Sequence, residues 1–467
     1  MDKTPVRQLV LLGDFGSTYS KFQLIDETNA KRLAHVTLPT TQATSIVDCY
    51  QTAKTQLLQQ VAYRPNDDAL KEAFSSSAWG GFKLVVIGLT ASLTTRAAKQ
   101  AAMGSGTRIL AQYAYRLTEG DWQEITRLDP DAILLTGGTD GGDQRFVLTV
   151  ASQLVNHSIT APVIYAGNRA VQDELRVLFQ RQNKTLYLAD NVMPKVNVLQ
   201  MDGVKRVAAA IFNEKIVTSK GLDQVAQHAF LPIIPTPVAV QLATALLGKY
   251  FGSGILTIDV GGATTDVHTF GQGRPTAVNV LYEGLPEPVL KRTVEGDLGM
   301  RESAKSVVAQ YPEETLLAEL GTGWDEASLF KQIAWRKKNH QALPQTAADR
   351  KLEELLALKA TDIALNRHLG QLTKRDSETW VQTGKDASHF QAVVATGGAL
   401  LHAVSPRQLY RCVCRETAAG TRPKHPALFL DKDYLLAAAG ILSQYQPAVA
   451  ERLLLGHLYK ESVDWSP

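Results

Sequence analysis

One pattern occurs twice in this chain, far apart: an apolar strand that runs into Asp, then Gly, then Ser or Thr. The first copy reads Leu9-Val10-Leu11-Leu12-Gly13-Asp14-Phe15-Gly16-Ser17-Thr18. The second reads Ile255-Leu256-Thr257-Ile258-Asp259-Val260-Gly261-Gly262-Ala263-Thr264-Thr265. A returning strand follows each turn, at 21–25 and at 265–270, so both copies read as hairpins, with turns at 13–17 and 259–263. A repeat at this separation predicts two lobes of similar fold, and 467 residues leave room for two to four domains.

The segment between the copies has a different rhythm. Apolar strands at 83–87, 108–113, 132–135, 162–166 and 185–188 alternate with helical patterns at 93–102, 119–128, 144–155 and 170–182. Such alternation predicts a parallel, doubly wound sheet, here an inserted α/β module at 76–199. Two of its turns, Thr136-Gly137-Gly138-Thr139-Asp140-Gly141-Gly142 and Ala166-Gly167-Asn168, follow strand ends, where such sheets bind ligands. Thr136, Gly137, Gly138, Gly167 and Asn168 are therefore a candidate second ligand site, the alternative being tight turns. Beyond the second hairpin, 298–372 reads as largely helical. A buried strand at 392–395 ends in Thr396-Gly397-Gly398-Ala399, and the final helix is placed at 434–442. Its small residues, Ala437 to Gly440, suit either a packed hinge or a simple high-propensity helix.

Composition removes several function classes. Lys+Arg number 49 and Asp+Glu 46, with no basic cluster interleaved with aromatics, so nucleic acid is not an expected partner. The run Arg336-Lys337-Lys338 is taken as a solvated helix face, and Glu353 and Lys359 as charges on polar helix faces. No stretch approaches the ~20 apolar residues of a membrane span, and 1–8 is polar, without a leader pattern. Three cysteines exclude a disulfide framework and point to a reducing, cytoplasmic setting. Cys412 and Cys414, read on a strand, are better taken as buried small residues than as metal ligands.

The chemistry concentrates in three turns. In the first, Gly16 permits a tight bend, Ser17 and Thr18 offer hydroxyl and N–H donors to a phosphate oxygen, and Asp14 can hold hydrated Mg²⁺. Lys21 either adds positive charge there or faces solvent. In the second, Gly261 and Gly262, with Ala263, can close a nest of N–H groups on a polyphosphate. Asp259 would face Asp14 and help place Mg²⁺ or polarise water, while Thr264, with Thr265 and Asp266 beside it, would contact the γ-phosphate or that water. In the third, Gly397, Gly398 and Ala399 leave room for a nucleoside against bare backbone.

These three segments resemble the phosphate-1, phosphate-2 and adenosine motifs of the actin/Hsp70/sugar-kinase ATPase superfamily. The wider set Ser75-Ser76-Ser77-Ala78-Trp79-Gly80-Gly81, Leu135 to Gly142, Ala166-Gly167-Asn168-Arg169, Asp190-Asn191-Val192-Met193-Pro194, Asp259 to His268 and Glu295-Gly296-Asp297-Leu298-Gly299-Met300-Arg301 is similar to the glutamate-mutase-associated MutL family over nearly the whole chain. DNA mismatch-repair MutL is a different ATPase with a different fold. The chain departs at Trp79, where a small residue is expected, and at Ala263, which replaces the third glycine of chaperone relatives.

The resemblance implies an α/β fold of two actin-like, ribonuclease H-like lobes. The first comprises 1–75 and 200–250. The second, 251–467, has a helical subdomain at about 298–390 and a C-terminal helix returning to the hinge. It implies Mg-ATP, with Asp14, Asp259 and Thr264 as catalytic groups, and lobe closure that reactivates an adenosylcobalamin-dependent methylaspartate (glutamate) mutase or a related aminomutase. Cobalamin would sit on that client or transiently on the flavodoxin-like insert, whose 88–92 loop has no axial His. A second copy of the chain is a further candidate partner. Two other functions fit the same motifs: a small-molecule kinase, with Asp259 or Asp266 as base, and a non-catalytic nucleotide-gated scaffold.

Overall fold

The computed structural model of the protein describes residues 6–16, 19–40, 46–77, 82–91, 93–103, 107–216, 221–252, 254–275, 277–417 and 420–462. Ser17, Thr18, Ser92 and 78–81 lie outside the described residues. The chain divides into two compact units, Met1–Ala78 with Lys220–Pro467, and Trp79–Ser219.

The first unit begins with β1 (Arg7–Phe15), β2 (Tyr19–Asp26), β3 (Lys31–Pro39) and β4 (Asp68–Ser76). Leu9 to Leu12 are all but fully buried, as expected of a strand flanked on both edges and covered on both faces. The strand runs on through Phe15, so the turn is tighter than the 13–17 read from sequence.

The second unit holds β5 (Phe82–Gly88), β6 (Thr107–Ala114), β7 (Ala132–Leu135), β8 (Val163–Tyr165) and β9 (Leu186–Leu188). They form one parallel sheet in the order β6-β5-β7-β8-β9, the 2-1-3-4-5 order of flavodoxin-type sheets. The helix Glu119–Leu128 starts where a helix should, at a Thr118/Asp121 capping box.

Back in the first unit, β10 (Ile234–Pro235) completes the sheet β10-β4-β1-β2-β3. Its first three strands are an antiparallel meander, and β4 and β10 join in parallel. Then come β11 (Ile255–Val260), β12 (Thr265–Phe270), β13 (Val280–Glu283), β14 (Leu290–Glu295), β15 (Gln371–Lys374), β16 (Trp380–Thr383), β17 (Ala392–Thr396), β18 (Ala427–Leu430) and β19 (Tyr459–Glu461). Six of these make the sheet β14-β12-β11-β17-β18-β19. Setting β19 aside, its strand order and directions repeat those of the first sheet: meander, then two parallel additions. The repeated hairpin thus grows into two repeated ribonuclease H-like lobes, the two-lobed actin-like plan. β13, β16 and β15 form a separate small sheet.

Two helices join the lobes. Thr236–Phe251 leads from the first sheet to the second, and Leu436–Leu442 packs against it. A Cβ on Gly440 would lie 1.8 Å from the Ala239 carbonyl oxygen, so this crossing admits only glycine. One apolar core contains Val10, Leu12, Ile25 and Ala73 from the first sheet, Ile255 and Val394 from the second, and residues of both helices.

Several sequence readings change. The last described helix is Pro447–His457, not the one before it, because Pro447 restarts a helix after the Leu436–Leu442 helix ends. Cys412 and Cys414 sit at the end of the helix Pro406–Val413, not on a strand, and burial pushes both thiols up to about 12. Arg336 is not solvated. It is buried and bridges Glu353 and Asp349, while Arg301 reaches Glu353 as well. Glu353 is therefore the buried centre of an ion network, where losing one partner strands the others.

Candidate functional site

Asp14 lies near the end of β1, in register with Lys21 on β2 and Ser75 on β4. The hydroxyls of Ser75 (2.8 Å) and Thr236 (2.5 Å) both donate to its Oδ1. The carboxylate is thereby fixed by two strands and the first turn of the interlobe helix. Asp259 holds the matching place on β11, in register with Asp266 on β12 and Thr396 on β17. Burial, reinforced by the charge of Asp266, pushes the Asp259 carboxyl up to about 7. Lys21 opposes that rise, while Asp14 and Asp431 add to it. Three aspartates from both lobes and one lysine thus act on Asp259.

The turn after β11 is held from behind. The Gly261 carbonyl accepts from the N–H of Met300, the Gly262 carbonyl from those of Arg301 and Glu302, and the Ala263 carbonyl from the Ser303 hydroxyl. Gly299 sits directly behind: a Cβ there would come within 2.4 Å of the Ala263 carbonyl carbon. With the carbonyls committed to 300–303, none of the N–H groups of Gly262, Ala263 and Thr264 has an acceptor among the described residues. That is the polarity of an anion-binding nest.

Not every residue of the motif serves this front. Thr264 donates to Asp266 Oδ2, and Asp266 Oδ1 takes both Nε and Nη2 of buried Arg292. The Thr265 hydroxyl is fully buried and donates to the Leu298 carbonyl. The side chains of Thr265 and Asp266 thus have partners within the protein and brace the turn.

At the third turn, Gly397 has φ +92, and a Cβ would meet the Val260 backbone, and Asp259 Oδ1 at 2.9 Å. Gly398 is exposed, and among the described residues only the Tyr434 hydroxyl, at 3.8 Å, is within reach of a Cβ; Ala399 follows half-buried. Thr396 donates to Asp431. Asp431, just past β18, is buried and accepts from the N–H groups of Leu435 and Leu436 at the start of the interlobe helix. Burial pushes its carboxyl up to about 6. Sequence reasoning missed Asp431, Thr236 and Tyr434, which lie far along the chain from the motifs they meet. The Asp431 to Leu436 spacing before an apolar helix was the available cue.

A family model described as MutL protein matches residues 10–458. The chain belongs to the MutL family. "Protein MutL" of Clostridium tetanomorphum is 36% identical over 460 residues, covering 96% of this chain and 99% of that protein. Among solved structures, a nucleotide-free acetone carboxylase aligns over 94% of this chain and 70% of its own, at TM-score 0.41 and 13% identity. A xylulose kinase of Lactobacillus acidophilus aligns over 97% and 93%, at 0.34 and 12%. Component A of (R)-2-hydroxyglutaryl-CoA dehydratase from Acidaminococcus fermentans aligns over 95% and 96%, at 0.29 and 10%.

The candidate second site in the 79–219 unit is filled by the chain itself. A Cβ on Gly167 would strike the Gly137 backbone at 2.7 Å, and one on Gly137 the Phe146 ring at 2.9 Å. Gly138 has φ +71 and abuts the Asp143 carbonyl. Asn168 is fully buried, donating to the carbonyls of Gly142 and Asp143 and accepting from the N–H groups of Gly141 and Ala170. The Thr136 hydroxyl donates to the Ala166 carbonyl. These residues lock two loops together, which is what tight turns would do. Among the described residues, no helix is long and apolar enough to cross a membrane.

Proposed function

We propose that this protein binds and hydrolyses Mg-ATP at the junction of its two lobes and uses the resulting lobe motion to act on a partner protein. The observation that carries the reading is the convergence of Asp14, Asp259 and Lys21 with a braced, outward-facing N–H nest, at equivalent strand ends of two repeated sheets. Asp14 fits a hydrated Mg²⁺, because both hydroxyls that fix it use Oδ1 and, among the described residues, none takes Oδ2. When bound, that ion would neutralise phosphate charge. Gly262, Ala263 and Thr264 would receive phosphate oxygens on their N–H groups. Asp259, with its raised proton affinity, would orient and deprotonate the attacking water. Gly397 and Gly398 would leave the nucleoside its space.

The partner proposed is an adenosylcobalamin-dependent methylaspartate (glutamate) mutase or a related aminomutase, with the work being release of inactivated cofactor. Its support is membership of the family whose resemblance implied it, and the cobalamin then belongs to the client. Steady-state ATP turnover by the full chain, alone and with mutase carrying hydroxocobalamin, tests the reading. Hydrolysis without a small-molecule acceptor, stimulated by the mutase and accompanied by corrinoid release, is expected. A phosphorylated metabolite would instead establish the kinase alternative, which Asp259 also suits as a base. Absence of both hydrolysis and phosphoryl transfer would overturn the reading in favour of a scaffold.

A further inference from the structure

Tyr434 is the bulky residue most at odds with its backbone near the site. Its φ is +53, in the left-handed region that aromatic residues avoid. Such a conformation persists only when the surroundings over-determine it, and here several contacts do so. Asp431, three residues earlier, is pinned by Thr396 and by the start of the following helix. Asp433 is gripped by Arg32 (2.8 Å) and His457 (2.9 Å), and its carbonyl accepts from Gln23. The Tyr434 hydroxyl meets His402 Nε2 at 2.9 Å.

The ring held this way faces Lys21. The ammonium lies 4.2 Å from the ring centroid, within cation–π range. Lys21 is close enough to Asp259 and Asp431 to lower the proton affinity of both. Yet among the described residues no carboxylate forms an ion pair with its Nζ. A flexible lysine surrounded by acids would ordinarily collapse onto one of them. The aromatic face offers the charge a resting place that competes with such a collapse but leaves its N–H donors unspent.

We infer that Tyr434 is a positioning residue: its ring holds the Lys21 ammonium off the neighbouring carboxylates and available to a nucleotide phosphate. The inference rests on the nucleotide reading above. The ring does so from the second lobe while Lys21 belongs to the first, so the pair also reports whether the lobes are in register.

Calorimetric titration of the full chain with ATP and, separately, with adenosine tests this. Tyr434→Leu should weaken ATP about tenfold while leaving adenosine within about twofold. Tyr434→Phe keeps the ring and should restore ATP affinity. In a Lys21→Gln background, Tyr434→Leu should add nothing, as a double-mutant cycle requires of coupled residues. Tyr434→Met serves as a second non-aromatic variant if Leu unfolds the loop. Equal losses for ATP and adenosine would make the ring a nucleoside wall and overturn the proposal. A loss in Tyr434→Phe as large as in Tyr434→Leu would assign the effect to the His402 bond and overturn it too. Wild-type protein that binds neither adenosine nor ATP would sink the nucleotide reading itself, a result distinct from either.

Discussion

Asp259 is held against its own preference. Its carboxyl keeps a proton to about pH 7, while an unfolded aspartate releases it near 3.8. Between those values the folded chain binds more protons than the unfolded one. Stability therefore falls as pH rises through that window and levels off above it. Asp259→Asn removes the buried charge. It should be more stable than wild type at pH 8, by on the order of 1 kcal/mol or more, with the gain vanishing below about pH 4. Urea melts across pH tell: an equal gain at pH 4 and pH 8 would rule out the ionisation as its source. The same variant, and Asp14→Ala, should lose ATP turnover. Both aspartates were legible in the sequence because each ends an apolar strand before glycine. Asp431 was not, because its partner Thr396 comes beside it only once β17 and β18 pair, and the local spacing to Leu435 and Leu436 reads as no more than a helix start. The side-chain partners of Thr265 and Asp266, the Leu298 carbonyl and Arg292, were not legible either, because they lie 33 and 26 residues away and meet the motif only in the folded sheet.

At the scale of elements, the glycines sort into those that face the ligand space and those that stand behind it. Gly398→Val meets little in the protein and should leave the melting temperature unchanged while weakening ATP about tenfold, ~1.4 kcal/mol. Gly299→Ala acts from the rear. It should push Ala263 forward and weaken ATP at least as much, though 299 touches no ligand. Calorimetry on the two variants checks this, and wild-type affinity in both would contradict the nest. The glycine pattern itself was visible in sequence. What was hidden is that the segment from Glu295 to Ser303 braces the turn after β11. Nothing local in that segment names the loop, some 40 residues earlier, that it supports.

The whole molecule is two units of different autonomy. The 79–219 unit has its own sheet and its own core, including Trp122, Leu135, Leu154 and Phe179. Scanning calorimetry should therefore show two transitions. Gly167→Val, which drives a side chain into the Gly137 backbone, should lower only one of them and leave ATP turnover intact. A uniform shift of both transitions would show that the units unfold as one. Strand–helix alternation made the sheet of this unit readable from sequence, but not its far boundary: the helix Asp202–Ile216, beyond the expected limit of 199, packs onto it as well. The unit's glycine turns left two readings open, because a glycine needed for loop-to-loop contact looks the same in sequence as one needed for a ligand.

The remaining unit has no such independence. Val10, Leu12 and Ala73 of the first sheet share a core with the helix Leu436–Leu442, and Tyr445 bonds Glu27 across 418 residues of chain. A ribosome that has released the opening meander has therefore made a sheet without its lid, and the lid is not yet translated. The inserted unit can fold while synthesis continues. The first lobe must wait with an apolar face open to water, the circumstance in which nascent chains aggregate or recruit chaperones.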